Sequence, residues 1–239
     1  MKKFPYFTTF FAFLTLVLCV SVGYLISTLV VTTNLFQTTS KVESQNNTYY
    51  LLSIYQNENK EDCKSNLQNF QNQGCAGYIY ENDGKYHIIA SIYDNVNDAE
   101  LVKSSLQANG YTVEILNYKI SGFSLEGNFS TPEQQVLKDC LQVQNKIYKS
   151  LYDVSVSLDT NIYDELTGRF NVNEIYSNFL TTKNNFETLF SEKNNNDIIS
   201  IRELFNTISS ELETLTNSKE NFSSAIKLAY CNIILANYN

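Results

Sequence analysis

The sequence predicts an α+β protein with three successive parts: a single N-terminal transmembrane helix, a small βαββαβ module and an all-α helical bundle. Three observations support this order. No charged residue occurs between Lys3 and Lys41, a strand–helix pattern occurs twice before residue 118, and four apolar stripes of helical spacing follow residue 131. The predicted segments are 1–34 (cytoplasmic stub and transmembrane helix), 35–47 (linker), 48–118 (module), 119–130 (linker) and 131–239 (bundle).

The transmembrane helix is predicted from Phe7 to Val31, where apolar and small residues dominate. A bilayer needs about 20 such residues in helical form. A cleaved signal peptide would have an apolar core of about 7–15 residues followed by a small-x-small site, and neither condition is met. Lys2 and Lys3 precede the span, so the positive-inside rule places the N-terminus in the cytoplasm. We expect a single-pass cell-membrane protein with extracytoplasmic C-terminal domains.

The charge distribution limits the partners. The chain carries a net charge of −8, and because Lys2 and Lys3 supply two positive charges, residues 4–239 carry −10. An acidic exterior without a cluster of Lys and Arg offers no electrostatic footprint for nucleic acid or for an anionic membrane surface. We therefore expect no nucleic-acid partner, and membrane contact only through residues 7–31.

Four cysteines follow the span: Cys63, Cys75, Cys140 and Cys231. They could form two disulfides, Cys63 with Cys75 and Cys140 with Cys231, or remain as four buried thiols. Spacing alone does not decide between these alternatives, because it does not fix the geometry that a disulfide requires. No metal-ligand spacing occurs among them.

The first half of the module begins with residues 49–55, whose aromatic and β-branched content is typical of a strand. A helix is predicted next, because Cys63, Leu67 and Phe70 recur at helical spacing and Gly74 stands where a C-cap is expected. Residues 76–80 form a second predicted strand. The Asp-Gly sequence at residues 83–84 favours a hairpin turn after it.

The second half repeats this pattern. Ser53-Ile54-Tyr55 recurs as Ser91-Ile92-Tyr93, and each is followed by an Asn-rich loop, an amphipathic helix and a glycine. The second helix carries Ala99, Val102 and Leu106 on one face, and residues 111–116 form the last strand. Two strand–helix–strand units joined by a hairpin predict a four-stranded antiparallel sheet with both helices on one face. The other sheet face is expected to be uncovered.

These stretches resemble the sporulation-related repeat (SPOR) domain family. That family has an aromatic-x-Gln-x-Gly-x-Phe strand, a helix ending in Gly, a Tyr-Arg-Val-x-x-Gly-x-Phe strand and a second helix ending in Gly. The matching segments are Tyr49 to Tyr55, the helix to Gly74, Tyr86 to Tyr93, and Asp98 to Gly110. The resemblance implies a ferredoxin/RNP-like module over residues 48–118 that binds peptidoglycan glycan strands on its uncovered sheet face, in division or sporulation.

The candidate glycan-binding residues are those that the resemblance assigns to this face: Tyr49, Leu51, Ser53, Tyr55, His87, Ile89, Ser91 and Tyr93. Several depart from the family pattern. Leu51 replaces the Gln, Ser53 and Ser91 replace glycines, and Ile89 occupies a basic or polar position. Sugar sites combine aromatic surface with a few placed polar groups, and this face is more apolar than that. The alternative is a scaffold whose sheet face docks against the helical domain or a partner protein.

The bundle is predicted from residue 131 onward. Thr131 supplies an N-cap hydroxyl, Pro132 the first helical position and Gln134 the polar residue three positions after the cap. The first apolar stripe comprises Leu137, Cys140, Leu141, Ile147, Leu151, Val154 and Leu158. Such helices cannot stand alone and must pack on one another, so a three- or four-helix bundle is expected.

Three further stripes follow. The second stripe, capped by Asn171 or Asn173, comprises Ile175, Phe179, Phe186 and Leu189. The third, started by Asp197, comprises Ile198, Ile201, Leu204, Phe205, Ile208, Leu212 and Leu215. The fourth, started by Ser218, comprises Phe222, Ile226, Ala229 and Ile233. We interpret the stripes as ordinary core; the alternative is that they form a surface for a protein partner of the helical domain.

Catalytic patterns are missing from the sequence. His87 is the only histidine and has no acidic or cysteine neighbour, while Asp159, Asp164 and Glu165 lie where they would cap helices or face water. No Gly-rich phosphate loop, zinc spacing or nucleophile elbow occurs. We expect no enzyme activity, metal or cofactor. The sequence therefore predicts a membrane-anchored bacterial cell-envelope protein with a SPOR-like peptidoglycan-binding module, the alternative being a non-enzymatic protein-interaction scaffold.

Overall fold

The computed structural model describes residues 40–193, 195–219 and 221–235. The predicted α+β class is confirmed, with a sheet region followed by a helical bundle. The described helices include none with the length and apolar content needed to cross a membrane. The transmembrane helix predicted at residues 7–31 lies outside the described residues, so it stays a prediction.

The module contains a four-stranded antiparallel sheet, as the sequence predicts, and the structure gives its strand order as β3-β4-β2-β5. The elements of the sheet region are β1 (Ser40–Glu43), β2 (Asn47–Asn57), α1 (Lys60–Asn72), β3 (Tyr78–Asn82), β4 (Lys85–Tyr93), α2 (Val96–Ala108), β5 (Glu114–Ile120) and β6 (Ser124–Gly127). Both helices pack on the same sheet face. Their core there is formed by Leu52, Ile54, Ile88 and Ala90 with Cys63 of α1 and Ala99 of α2.

The sequence repeat has a structural counterpart in these two helices. Each is 13 residues long and begins after an asparagine whose side chain accepts a hydrogen bond from a backbone N–H two residues ahead, Asn59 for α1 and Asn95 for α2. Each is followed by a glycine with positive φ, Gly74 at 86° and Gly110 at 89°. A side chain at either position would be strained, which explains why the glycine recurs.

The segments predicted as linkers contain paired strands, because β1 and β6 form a separate two-stranded sheet. Ser44 N donates to Phe123 O at 2.8 Å, and Phe123 N donates to Ser44 Oγ at 2.8 Å. Val42 and Leu125 are buried in the main core. Each of these strands has four residues and one buried side chain. A pattern this short cannot be recognised as a strand from the alternation of apolar residues.

The bundle contains four helices: α3 (Thr131–Asp159), α4 (Glu165–Phe190), α5 (Asn196–Thr216) and α6 (Phe222–Leu235). Helix α3 packs against α4 and α6, and α5 packs against α4 and α6. The N-cap of α3 is Ser130 and not Thr131. Ser130 N and Oγ both donate to Glu133 Oε2, at 2.8 and 2.9 Å.

The predicted starts of the other helices are wrong. Helix α4 begins one turn or more before Asn171 and Asn173, and Asp164 Oδ1 accepts a hydrogen bond from Thr167 N at 2.8 Å as its cap. The early turns of α4 expose Leu166 and Phe170, so no buried stripe marks them.

Helix α5 is capped by Asn195 rather than started by Asp197. Helix α6 begins at Phe222, where Asn221 Oδ1 accepts from Ser224 N at 3.2 Å, and Ser218 lies before the start of the helix. In both cases the asparagine directly before the first helical residue supplies the cap, as this residue type does readily.

The sheet module and the bundle share one hydrophobic core. Residues 41–125 and the described residues from 129 onward form a single compact unit, while Ser40 and residues 126–128 do not belong to it. The core cluster contains strand residues, such as Leu51 and Ile92, together with helical residues, such as Leu151 and Ile226. The module therefore does not stand apart from the bundle.

The Glu133 carboxylate should make part of the stability dependent on pH. Burial alone would raise its pKa, but hydrogen bonds from Lys193 and Ser130 outweigh burial and hold the pKa below 4.5. The ionised carboxylate therefore stabilises the fold above pH 4.5. This contribution to stability is lost as the pH falls from 4.5 through the lowered pKa. We expect Glu133→Gln to cost less than about 1 kcal/mol at pH 7, because the pair with Lys193 is partly solvated. The difference from wild type in thermal midpoint should shrink below pH 4.5.

Glu174→Gln is the matched control, because Glu174 is exposed on α4 and has no ion pair among the described residues. Its thermal midpoint should follow wild type at every pH. A Glu133→Gln deficit that is the same at pH 7 and pH 3 would contradict the assignment.

Candidate functional site

The sheet face that was expected to be uncovered is covered by α3 and α6. Tyr49, Leu51 and Ile89 are 1%, 0% and 0% exposed and belong to the same core cluster as the bundle residues. The expectation of a free sheet face is therefore wrong. The bundle covers this face because the face is apolar, and the packed helices remove its side chains from water.

The eight candidate residues also do not share one face. Tyr49, Leu51 and Ile89 lie in the bundle-side core, whereas Tyr55 and Tyr93 pack with the core beneath α1 and α2. Irregular pairing between β2 and β4 separates them: the register shifts between Leu52 and Ser53 and again before Tyr55. Each shift of one residue reverses which face a side chain occupies, and strict alternation in the sequence does not reveal it.

Two of the three polar candidates on the central strands, Ser53 and His87, form a buried pair. Ser53 Oγ lies 3.1 Å from His87 Nδ1 and donates to Tyr55 O at 3.3 Å. Both residues are 3% exposed. Burial lowers the pKa of His87 below 6.5, so the imidazole is neutral at pH 7. A serine beside a neutral imidazole has the composition of a nucleophile and base, but a substrate has no access to it here.

The contact between sheet and bundle is dominated by tyrosines. Five tyrosines form a chain of ring contacts with centroids 5.2–6.5 Å apart: Tyr49, Tyr148, Tyr152 and Tyr230, and also Tyr93, which belongs to the core beneath α1 and α2 and contacts Tyr152. We call these residues the tyrosine cluster. Three of the five ring pairs are edge-to-face, and each pair of that kind contributes about 0.5–1.5 kcal/mol beyond its buried area.

The buried hydroxyls of the tyrosine cluster are hydrogen-bonded across the contact. Tyr148 Oη donates to Ile92 O at 3.0 Å, Tyr49 Oη donates to Asn145 Oδ1 at 3.2 Å, and Tyr230 Oη lies 2.5 Å from Ser91 Oγ. Burial raises the pKa of Tyr148 and of Tyr230 far above the ordinary value, so both hydroxyls stay protonated. The sheet face thus binds the helices of its own chain.

Sequence reasoning missed the helical half of the tyrosine cluster. Gln144, Tyr148 and Tyr152 recur at intervals of four, which makes a second stripe beside the predicted apolar stripe of α3. Gln144 is buried and donates to Ile233 O at 2.6 Å, which bridges α3 to α6. The sequence signal that α3 has two buried faces was this spacing, which places Gln144 on the same helix face as the two tyrosines.

A polar edge borders the tyrosine cluster where α6 meets the loop between α1 and β3. Lys227 Nζ donates to Gly74 O at 2.8 Å and to Asp159 Oδ2 at 2.6 Å. Ser224 Oγ donates to Cys75 O at 2.6 Å. These bonds satisfy loop carbonyls that no strand partner reaches, and they hold the loop against the bundle.

These four cysteines are free thiols in the structure; Cys63, Cys140 and Cys231 are buried, as the thiol alternative has it, whereas Cys75 is half-buried. Burial raises the pKa of Cys140 to about 12, and it also raises the pKa of Cys63, Cys75 and Cys231. Thiols protonated in this way are weak nucleophiles and weak metal ligands.

An open cleft lies beside the polar edge. It has a volume of about 440 Å³ and is bounded by α2, α3 and α6, by the loop after α1 and by residues of β2 and β4. Its principal lining residues are Asp98, Leu101, Val102, Tyr152, Val156 and Lys227. Leu101 is 70% exposed, and Val102 and Val156 are also exposed. We call this feature the seam cleft.

No metal site is found in the described residues, where no three His, Cys, Asp or Glu side chains are grouped to hold an ion. The acidic residues between α3 and α4 have separate local roles. Asp159 pairs with Lys227, Asp164 caps α4, and Glu165 pairs with Arg169 at 2.8 Å.

No protein-family model, curated protein or solved structure matches this chain. The resemblance to the SPOR family therefore rests on the residues quoted above and stays a prediction.

The burial of His87 predicts a measurable loss of stability in mild acid. Because its folded pKa is lowered, the unfolded chain binds a proton near pH 6.5 while the folded protein does not. Stability should therefore fall as the pH drops below 6.5. The only histidine of the chain gives a single imidazole titration by NMR, and we expect its midpoint below 6.5. The variant His87→Gln should lack this part of the pH dependence; a wild-type midpoint at or above 6.5 would contradict the burial.

The hydroxyl of Tyr148 should contribute to stability out of proportion to its size. In Tyr148→Phe the buried Ile92 O loses its donor, and we expect a loss of about 1–3 kcal/mol in the free energy of unfolding, measured by chemical denaturation. Tyr163→Phe is the matched control, because no hydroxyl hydrogen bond of Tyr163 is found in the described part of the chain. Equal losses in the two variants would show that the bond to Ile92 has no special weight.

Proposed function

We propose that this chain is a membrane-tethered, non-enzymatic cell-envelope protein whose sheet module and helical bundle form one scaffold for protein partners. The observation that carries the proposal is the burial of Tyr49, Leu51 and Ile89 beneath α3 and α6. A binding module would keep such a face accessible. Here the face is part of the interior, and the surface left for partners lies elsewhere.

A comparison of free energies argues against glycan binding by the sheet face and so favours the scaffold. A glycan could reach the sheet only after the bundle moved away, which would expose Tyr49, Leu51 and Ile89 at about 1.5–3 kcal/mol each. A ligand with a dissociation constant of 1 mM supplies about 4 kcal/mol. A weak glycan ligand would therefore not offset the exposure of these three side chains, before any other part of the contact is counted. Peptidoglycan binding, as the SPOR resemblance implies, is the alternative that the experiment below tests.

The location in the envelope is proposed from the sequence. The apolar run at residues 7–31 with Lys2 and Lys3 before it supports a single span with the folded part outside the cytoplasm. A bacterial host, and a role in division or sporulation, rest on the SPOR resemblance alone.

Two exposed apolar surfaces support a role in protein binding. One is the rim of the seam cleft at Leu101, Val102 and Val156. The other is the α4 patch, formed by Leu166 and Phe170, which are one turn apart on α4 and 77% and 69% exposed. Grouped exposed apolar side chains are typical of interaction sites, whereas single ones are common on any surface.

Sedimentation with peptidoglycan sacculi and photo-crosslinking together test the proposal. The full chain in detergent should stay in the supernatant with intact and with amidase-treated sacculi. In cells, benzoylphenylalanine at Phe170 or Leu101 should form discrete protein adducts. The same probe at Ser65, an exposed polar position on α1, should form none.

Each arm can overturn the proposal. Saturable retention on amidase-treated but not intact sacculi would show that the protein binds glycan, and it would contradict the proposal. The absence of protein adducts at both Phe170 and Leu101 would remove the scaffold role.

A further inference from the structure

We propose that the seam cleft binds a basic amphipathic segment of a partner protein, with an apolar side chain in the cleft and a Lys or Arg beside it. The inference rests on the proposed scaffold function and deepens it. It is carried by the shape of the cleft, by the exposed apolar side chains at its rim and by the charges that line it.

The apolar part of the cleft has room for side chains and not only for water. Its volume of about 440 Å³ lies in the lower part of the range of ligand sites. Leu101 and Val102 on α2 face Val156 and Tyr152 on α3 across it. Leu101 extends the apolar surface beyond the cavity, because 70% of it is exposed. A protein segment covers both the cavity and the rim, which a small molecule inside the cavity would not.

The charges of the cleft select a cation. Lys227 is held by Asp159 and by Gly74 O, so its charge is already neutralised. Asp98 lines the same cleft and has no ion pair among the described residues. The neighbouring charges Asp94 and Glu100 pair with Lys149 and Lys103. An incoming segment therefore meets one unpaired carboxylate, on a protein that is acidic as a whole.

The spacing of these groups fits one segment. Asp98, Leu101 and Val102 stand at i, i+3 and i+4 on α2, so they lie on one face about 5–6 Å apart. A partner helix that carries a large apolar residue and a Lys or Arg one turn away presents its groups at the same spacing. The carboxylate and the apolar surface can then be occupied together.

A random peptide display library panned on the full chain in detergent tests this assignment. Enriched peptides should carry a Lys or Arg within four positions of a large apolar residue. Their affinity, measured by fluorescence polarisation, should fall about tenfold in Leu101→Ser. It should fall about two- to fivefold in Asp98→Asn, and the dependence of affinity on salt should weaken in that variant.

Two variants are matched controls. Leu166→Ser removes an equally exposed leucine from the α4 patch, and Asp197→Asn removes a carboxylate from the first turn of another helix. Both should leave the affinity unchanged. If Asp98→Asn and Asp197→Asn weaken binding alike, the loss of affinity reflects destabilised helices and not a contact of the Asp98 carboxylate. The assignment is then wrong.

The remaining outcomes overturn the inference. These are enriched peptides without a basic residue, a library with no enrichment, a copurifying amphiphile in native mass spectrometry, and self-association that Leu101→Ser abolishes. If any of these occurs while adducts at Phe170 persist, the seam cleft loses its role and the scaffold function stands. Retention on amidase-treated sacculi would instead count against the scaffold function itself.

Discussion

The contact between the sheet face and helices α3 and α6 is the constraint on which the rest of the structure depends. The strands β2 and β4 are buried on both faces, beneath α1 and α2 on one side and beneath the bundle on the other. A sheet buried on both faces lacks the alternation of polar and apolar residues that a half-exposed sheet shows. This explains why Leu51 and Leu52 can follow one another, since each points into a different part of the core.

Hydrogen bonds give this contact its specificity. Apolar packing alone would tolerate several ways of placing α3 and α6 on the sheet, but Tyr148 and Tyr230 each need a partner for a buried hydroxyl. A placement that moved α3 by one turn would leave the Tyr148 hydroxyl and Ile92 O unpaired, and one that moved α6 would leave the hydroxyls of Tyr230 and Ser91 unpaired, at about 1–3 kcal/mol for each group. The polar groups therefore select one arrangement, while the area buried supplies most of the stability.

The sequence predicts the elements of this fold better than their contacts. The repeat of Ser-Ile-Tyr, the glycines Gly74 and Gly110 and the stripes of the bundle are local signals, and the strands and helices follow from them. The register shifts near Ser53 are not local, because they depend on how β2 meets β4. The start of α4 was missed for a similar reason, since Leu166 and Phe170 are exposed and carry no burial pattern.

Three residues that differ from the SPOR pattern lie on the covered sheet face. Leu51 stands where that family has Gln, and Ile89 where it has a basic or polar residue; both are fully buried here. A Gln or a charge at either position would lose its hydration, and without a partner that loss costs several kcal/mol. Ser91 stands where the pattern has glycine, and its hydroxyl makes a bond to Tyr230 that glycine could not make. These three residues suit a sheet that binds its own bundle, because Leu51 and Ile89 offer no hydrogen bond to a polar ligand and the Ser91 hydroxyl is already bonded to Tyr230.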